Sequence, residues 1–217
     1  MGRKKLERIL SNKERNNLFQ STHQEFSTLK GKWCEYFKNN NPIVIELGCG
    51  KGEYSIGMAQ MFPNKNFIGI DLKGDRLAVG SEQAIEFGLN NIAFLRTNIL
   101  ELENFFDENE VSEIWITFPD PRTRLRDAKR RLTYERFLKM YQNILKPGST
   151  IYLKTDNIDF FNFSIESLQN FGLKKLSTTN DLYQSDLKDI ALGIKTRFEE
   201  IFVGKGFRIN FLSCVLR

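Results

Sequence analysis

The chain has 217 residues, enough for one globular domain that buries most of its unfolded surface. Hydrophobic residues at 41% and charged residues at 27% exclude wholesale disorder, and 32 basic against 27 acidic residues leave a net charge of +5 that permits a polyanionic partner without demanding one. Three widely spaced cysteines, Cys34, Cys49 and Cys214, and a single histidine, His23, leave little material for a disulfide framework, a His-based zinc site or Ser-His-Asp chemistry. No segment approaches the ~18 apolar residues of a membrane span, so a cytoplasmic protein with no membrane partner is expected.

Residues 1–41 are polar and basic, with Arg3, Lys4, Lys5, Arg8, Lys13 and Arg15, and read as a partly flexible, solubilising arm with some helix around "KGKWCEYF". From Pro42 onward a single domain, 42–217, is expected, in which short apolar runs alternate with helical patterns. "IVIEL" (43–47) is a nearly continuous apolar run, as a strand covered on both faces should be, and "GEYSIGMAQMF" is a helix ended by Pro63. "FIGID" (67–71) is the second strand, Asp75 to Phe87 the second helix, and "IAFLRTN" and "EIWITF" further strands. Phe137, Leu138, Tyr141, Ile144 and Leu145 follow helical spacing until "KPG" stops the helix. "TIYLKTD" is the fifth strand and a Phe-rich helix runs to about Asn170. "LKKLST", a helix near "TRFEEIF" and a last strand in "RINFLSCVL" follow. The alternation predicts an α/β fold: a doubly wound, mostly parallel sheet of about seven strands with helices on both faces.

"ELGCGKGE" joins the first strand to the first helix. Gly48, Gly50 and Gly52 allow a tight turn and close backbone approach to a ligand. Asp71 ends the second strand 19 residues after Gly52, where an acid can hold both ribose hydroxyls of an adenosine. The dinucleotide pattern needs a small residue where this chain has Glu53, and Glu46 lies just before the loop. Two carboxylates repel a diphosphate but suit a donor carrying an ammonium and a sulfonium, so the loop favours S-adenosyl-L-methionine over NAD. Glu46 itself sits inside an apolar run and requires a partner.

Asp120 stands between Pro119 and Pro121 at the end of the fourth strand of the domain, and six of the ten residues after Pro121 are basic: Arg122, Arg124, Arg126, Lys129, Arg130 and Arg131. The prolines restrict where the carboxylate points, and ligands in doubly wound sheets lie beyond the carboxyl ends of strands. By itself a charge run is as readily a solvated surface as an RNA contact; its place directly after this loop favours RNA. With four phosphate contacts, log affinity falls against log salt with a slope of roughly −3.

The ordered motifs "KGKW…NNNPIVIELGCGKG", "FPDP…KRRLTYERFL", "KPGSTIYLKTDN" and "DLYQSD…TRFEEIF" together resemble the bacterial tRNA guanine-N7 methyltransferase family of the TrmB type, from about Leu29 to the C-terminus. The resemblance implies a Rossmann-like class I methyltransferase, a monomer or homodimer without a metal. It transfers a methyl group from S-adenosyl-L-methionine to N7 of a guanine in the tRNA variable loop, leaving S-adenosyl-L-homocysteine. Carried over by motif, donor binding falls on Glu46, Asp71, Asn98 and Asp120, with Asp120 also catalytic. Substrate contacts fall on Arg124, Asp156 and Thr196, Arg197, Phe198 and Glu199, and RNA contacts on Arg126, Lys129, Arg130 and Arg131. Three departures stand out. Where the family reads W-P-K-K-R-H after "DP", this chain has Arg122 to Asp127; Asn98 replaces an aspartate, and Phe198 a tyrosine. Competing readings are a methyltransferase acting on another RNA or on a protein, and a non-catalytic RNA-binding relative.

Overall fold

The computed structural model describes Glu7 and residues 12–216; Arg3, Lys4, Lys5 and Arg8 of the basic arm lie outside these residues. Among these residues eight strands form one sheet: β1 (Leu18–Phe19), β2 (Ile43–Leu47), β3 (Asn66–Asp71), β4 (Ile92–Arg96), β5 (Val111–Thr117), β6 (Leu145–Thr155), β7 (Leu173–Thr179) and β8 (Asn210–Leu216). Their order is β1-β4-β3-β2-β5-β6-β8-β7. The first six pair in parallel, while β8 runs antiparallel between β6 and β7.

Among the described residues, six α-helices with defined bounds accompany the sheet: α1 (Trp33–Phe37), α2 (Glu53–Met61), α3 (Gly74–Glu86), α4 (Glu135–Ile144), α5 (Ile158–Phe171) and α6 (Arg197–Gly204). Alternation along each strand divides the core in two. Ile45, Ile68, Ile114, Ile116 and Leu153 face α1, α4 and α5. Val44, Phe67, Phe94 and Trp115 face α2 and α3. Burial on both faces explains why the parallel strands read as continuous apolar runs.

The sequence expectation holds for all seven strands of 42–217; the eighth, β1, comes from the segment read as an arm. Leu18 and Phe19 pair with Phe94 and Leu95 at the sheet edge. Asn12 donates to the Gly74 carbonyl at 3.0 Å and Asn17 to the Ser81 carbonyl at 3.1 Å. Trp33 is fully buried, donates to the Phe105 carbonyl at 2.8 Å and stacks on Phe106. Residues 12–41 are therefore packed rather than flexible. Five apolar side chains, Leu18, Phe19, Leu29, Trp33 and Phe37, supply the buried surface, and a two-residue strand is too short to betray itself by alternation. No helix among the described residues is long and apolar enough to cross a membrane.

Candidate active site

Strand order reverses between β2 and β5, the switch point where ligands of doubly wound sheets bind. The glycine loop follows β2 there. The backbone N–H groups of Gly48 and Cys49 donate to the Ile70 carbonyl at 2.8 and 3.1 Å, tying the loop to β3. Asp71 accepts from the Gly50 N–H at 3.0 Å and the Lys73 N–H at 2.8 Å, so its carboxylate sits against the loop with a partly exposed edge. Gly52 begins α2 at φ +73°, and a Cβ there would lie 2.5 Å from Phe94. By contrast, a Cβ on Gly48 would meet nothing within 4 Å. The loop thus presents an open side to solvent and a closed side to the core, as a ligand cradle requires. Asn98, after β4, accepts from the Leu100 N–H at 3.0 Å and caps a 3₁₀ turn.

Glu46 lies beneath the loop, 2% exposed. It accepts from the Ser55 backbone N–H at 2.9 Å and from the hydroxyls of Ser55 and Thr117. Burial pushes its carboxyl up to about 7, while those hydrogen bonds and the charge of Lys154 pull the other way. The partner that an acid in "IVIEL" demands is therefore a set of neutral donors. Glu46 is a floor residue, with both oxygens engaged by protein.

The Pro-Asp-Pro turn leaves β5 under strain. Phe118 and Arg122, flanking it, both have φ +48°, a left-handed conformation that costs a non-glycine residue about 1–3 kcal/mol and persists only when its surroundings over-determine it. The Phe118 N–H donates to the Lys154 carbonyl at 2.9 Å. On the other side, Arg131 donates to the Arg122 carbonyl through Nε and Nη2 at 3.3 and 3.1 Å, with its guanidinium 4.3 Å from the Phe163 ring centre. Asp120 projects from this turn, its side chain 62% exposed, and accepts from the Arg122 N–H at 3.1 Å and from Arg122 Nε at 3.3 Å. A pair so exposed holds with little energy and yields readily to a ligand.

The basic segment is divided. Arg124, Arg126, Lys129 and Arg130 are exposed around a 3₁₀ turn at Leu125–Arg130, and Leu125 is 89% exposed among them. Arg130 reaches Asp127 at 3.3 Å. Arg131, expected to contact RNA, is only 7% exposed, because its donors hold the turn instead.

A second expectation also changes. Glu199, assigned to substrate, is fully buried: Lys154 Nζ lies 2.8 Å from its carboxylate and the Tyr183 hydroxyl donates to it. Lys154 also donates to the Ile194 carbonyl at 3.2 Å. Burial pushes the Lys154 ammonium down, and Glu199 opposes that shift. Thr196 caps α6 by accepting from the Glu199 N–H at 3.1 Å, and the Arg197 N–H donates to Glu53 at 2.7 Å. Phe198 is 45% exposed with its ring 5.4 Å from Phe118. The T-x-x-E spelling at 196–199 is the helix-start signature that marks this cap, though here the glutamate turns inward to Lys154. Lys154 was missed by sequence reasoning, yet a cation inside "IYLKT" gives the same signal as the acid inside "IVIEL".

Asp156 follows β6 as Asp120 follows β5, and these strands are paired with Thr117 beside Lys154. It is partly exposed, and the cap of α5 is its neighbour Asn157, which accepts from the Phe160 N–H at 2.8 Å. The ends of β2 to β6 thus bring Asp71, Asn98, Asp120 and Asp156 to one rim, with Phe198 against Phe118 at its border.

Comparisons with known proteins agree with this geometry. The profile of a family described as "Putative methyltransferase" matches residues 40–211. The chain is 47% identical over 215 residues to the tRNA (guanine-N(7)-)-methyltransferase of Cytophaga hutchinsonii, covering 98% of this chain and 97% of that protein. It is 42% identical to the protein of that name from Bacteroides fragilis, covering 100% of this chain and 87% of the other. Among solved structures, an antibiotic-related methyltransferase has a TM-score of 0.62 at 18% identity, covering 85% of this chain and 92% of that one, and the 16S rRNA methyltransferase KamB scores 0.62 at 14% identity, covering 91% and 94%. These structures share the fold. The near-complete relatives show more: the chain belongs to the tRNA (guanine-N7)-methyltransferase family.

Proposed function

We propose that the chain methylates N7 of a guanine in the variable loop of tRNA, with S-adenosyl-L-methionine as donor, in the cytoplasm. Near-full-length identity of 47% to a tRNA (guanine-N(7)-)-methyltransferase is the observation that carries this reading. When bound, the donor supplies an electrophilic methyl group on a sulfonium. The cradle fits it: the open side of the Gly48–Gly50 loop faces solvent, Asp71 is poised for ribose hydroxyls, and no phosphate is needed beside Glu53.

Guanine N7 holds a lone pair in the ring plane, so the base needs no deprotonation before it attacks. Positioning is the main demand, and effective molarity supplies it. As N7 forms its bond to carbon, the purine gains positive charge, which the Asp120 carboxylate stabilises from the rim. The strained, over-determined Pro-Asp-Pro turn keeps that carboxylate in place during the reaction. Asp156 accepts from the N1 and N2 donors of guanine and so rejects adenine. Arg124, Arg126, Lys129 and Arg130 hold backbone phosphates beside the rim.

Incubation with unmodified tRNA and labelled donor, followed by cleavage at 7-methylguanosine, tests the reaction; label in a protein or in ribosomal RNA alone would overturn it. Asp156→Ala should depress tRNA turnover while sparing S-adenosyl-L-homocysteine binding, and equal loss of both would refute its assignment to guanine.

A further inference from the structure

A run of four rings leads away from the Pro-Asp-Pro turn and ends in solvent. Phe118 lies 5.4 Å from Phe198, Phe198 lies 4.3 Å from Phe202 with the rings nearly parallel, and Phe202 lies 5.2 Å from Phe207. Rings that serve only as core are buried. Here Phe198 is 45% exposed and Phe207, in the loop after α6, is 52% exposed. Ile201, on the same helix, is 47% exposed. Cations border the run. Lys205 Nζ stands 6.0 Å from the Phe202 ring, and the Arg208 side chain is 77% exposed, 3.5 Å from Asp181. Between 195 and 208 the acids are Glu199, buried and neutralised by Lys154, and Glu200; Lys195, Arg197, Lys205 and Arg208 are all exposed.

We infer that Phe198, Phe202 and Phe207, edged by Arg197, Lys205 and Arg208, form a stacking platform for unpaired nucleotides of tRNA next to the target guanine. This rests on the tRNA reading above. Exposed aromatic faces interleaved with cations fit single-stranded RNA, whose bases stack on rings while phosphates meet the charges. A purely apolar partner would leave those cations desolvated. Continuity with the site selects the nucleotides: the first ring of the run, Phe118, is two residues from Asp120. Stacking on Phe207 would then guide the flanking strand and leave the methyl-transfer groups untouched.

Phe207→Ala, Phe207→Leu and Phe207→Tyr in the full chain provide the test, with unmodified tRNA binding, steady-state methyl transfer and S-adenosyl-L-homocysteine binding measured for each. The Ala and Leu variants should raise the tRNA Kd and KM about tenfold with kcat and S-adenosyl-L-homocysteine affinity unchanged, as loss of one base stack predicts. The Tyr variant, which keeps an aromatic face, should bind as the parent does. Lys205→Ala should flatten the salt dependence, whereas Phe207→Ala should not. Parent-like tRNA binding by the Ala and Leu variants would overturn the platform. So would sedimentation showing that these variants break a dimer and lose tRNA only in proportion, because the face would then be an interface between two copies of the chain. A parent chain that binds tRNA but does not methylate it would refute the proposed reaction, and the binding comparison would still decide the platform.

Discussion

Replacing Lys154 with methionine removes the cation that pairs with the buried Glu199 carboxylate. The ammonium lies 2.8 Å from that carboxylate, both side chains are at most 1% exposed, and the Ile194 carbonyl shares the ammonium at 3.2 Å. Without it, Glu199 keeps the Tyr183 hydroxyl and no opposing charge. Breaking one side of such a pair costs about 3–5 kcal/mol, because the remaining charge is still buried. At about 2–4 °C per kcal/mol for a chain of this size, the melting temperature should fall by roughly 10 °C. A double variant, Lys154→Met with Glu199→Met, should recover most of the loss, since two apolar side chains of similar volume carry no desolvation penalty. Thermal unfolding of the four proteins in this cycle gives the coupling directly. A single variant within about 1 kcal/mol of the parent, or a double variant whose loss equals the sum of the two singles, would refute the buried-pair reasoning.

Four further outcomes are expected. Glu46 is raised from its ordinary value of 4.5 to about 7, so its contribution to stability is full below the unfolded value and is lost as pH rises through the folded one. Urea unfolding at about pH 5 and about pH 8 should therefore show Glu46→Gln gaining on the parent at the higher pH, by up to about 3 kcal/mol at 1.36 kcal/mol per unit; a pH-independent difference would contradict it. Gly52→Ala, which places a Cβ 2.5 Å from Phe94 at φ +73°, should cost about 1–3 kcal/mol in the same measurement. Arg130→Ala should reduce the slope of log tRNA affinity against log salt by about 0.7–0.9 at unchanged melting temperature. Arg131→Ala should instead lower stability and turnover, because it frees the Arg122 carbonyl, and an unchanged turnover would argue against its part in holding the turn.

What the sequence made legible follows from length and period. β2 to β6 are long enough, and covered on both faces, to read as apolar runs, and the glycine loop and Asp71 fall where spacing puts them. β1 was hidden because two residues carry no period, although Leu18, Phe19 and Trp33 are as buried as any core side chain. Site residues were legible as a rim but not as individual roles. The family resemblance assigned Glu199 to substrate and Arg131 to RNA, but side-chain direction turns Glu199 toward Lys154 and Arg131 toward the Arg122 carbonyl. Lys154 and Thr117 escaped for the same reason: they share a sheet face with Glu46 on β2, and that neighbourhood exists only once β2, β5 and β6 are side by side.

These inward-turned groups explain how the chain accommodates Arg122 to Asp127 where relatives of the resembled pattern carry W-P-K-K-R-H. Of the side chains that differ, Arg122 meets Asp120 in an exposed pair at 3.3 Å that holds with little energy, and the turn that carries Asp120 does not depend on it. That turn is fixed from the N-terminal side by the Phe118 N–H bonded to the Lys154 carbonyl, and from the C-terminal side by Arg131 gripping the Arg122 carbonyl. Both grips use backbone atoms of the turn, so they are indifferent to which side chains stand at 122 to 127, provided residue 122 can adopt φ +48°. Lys154, in turn, is held by Glu199, which also accepts from the Tyr183 hydroxyl and, as part of α6, carries the Phe198 ring against Phe118. The site therefore has a rigid inner shell of buried partners and an outer fringe of exposed cations. Strain stored at Phe118 and Arg122 is borne by the first, and the outer side chains are free to vary with the RNA they meet.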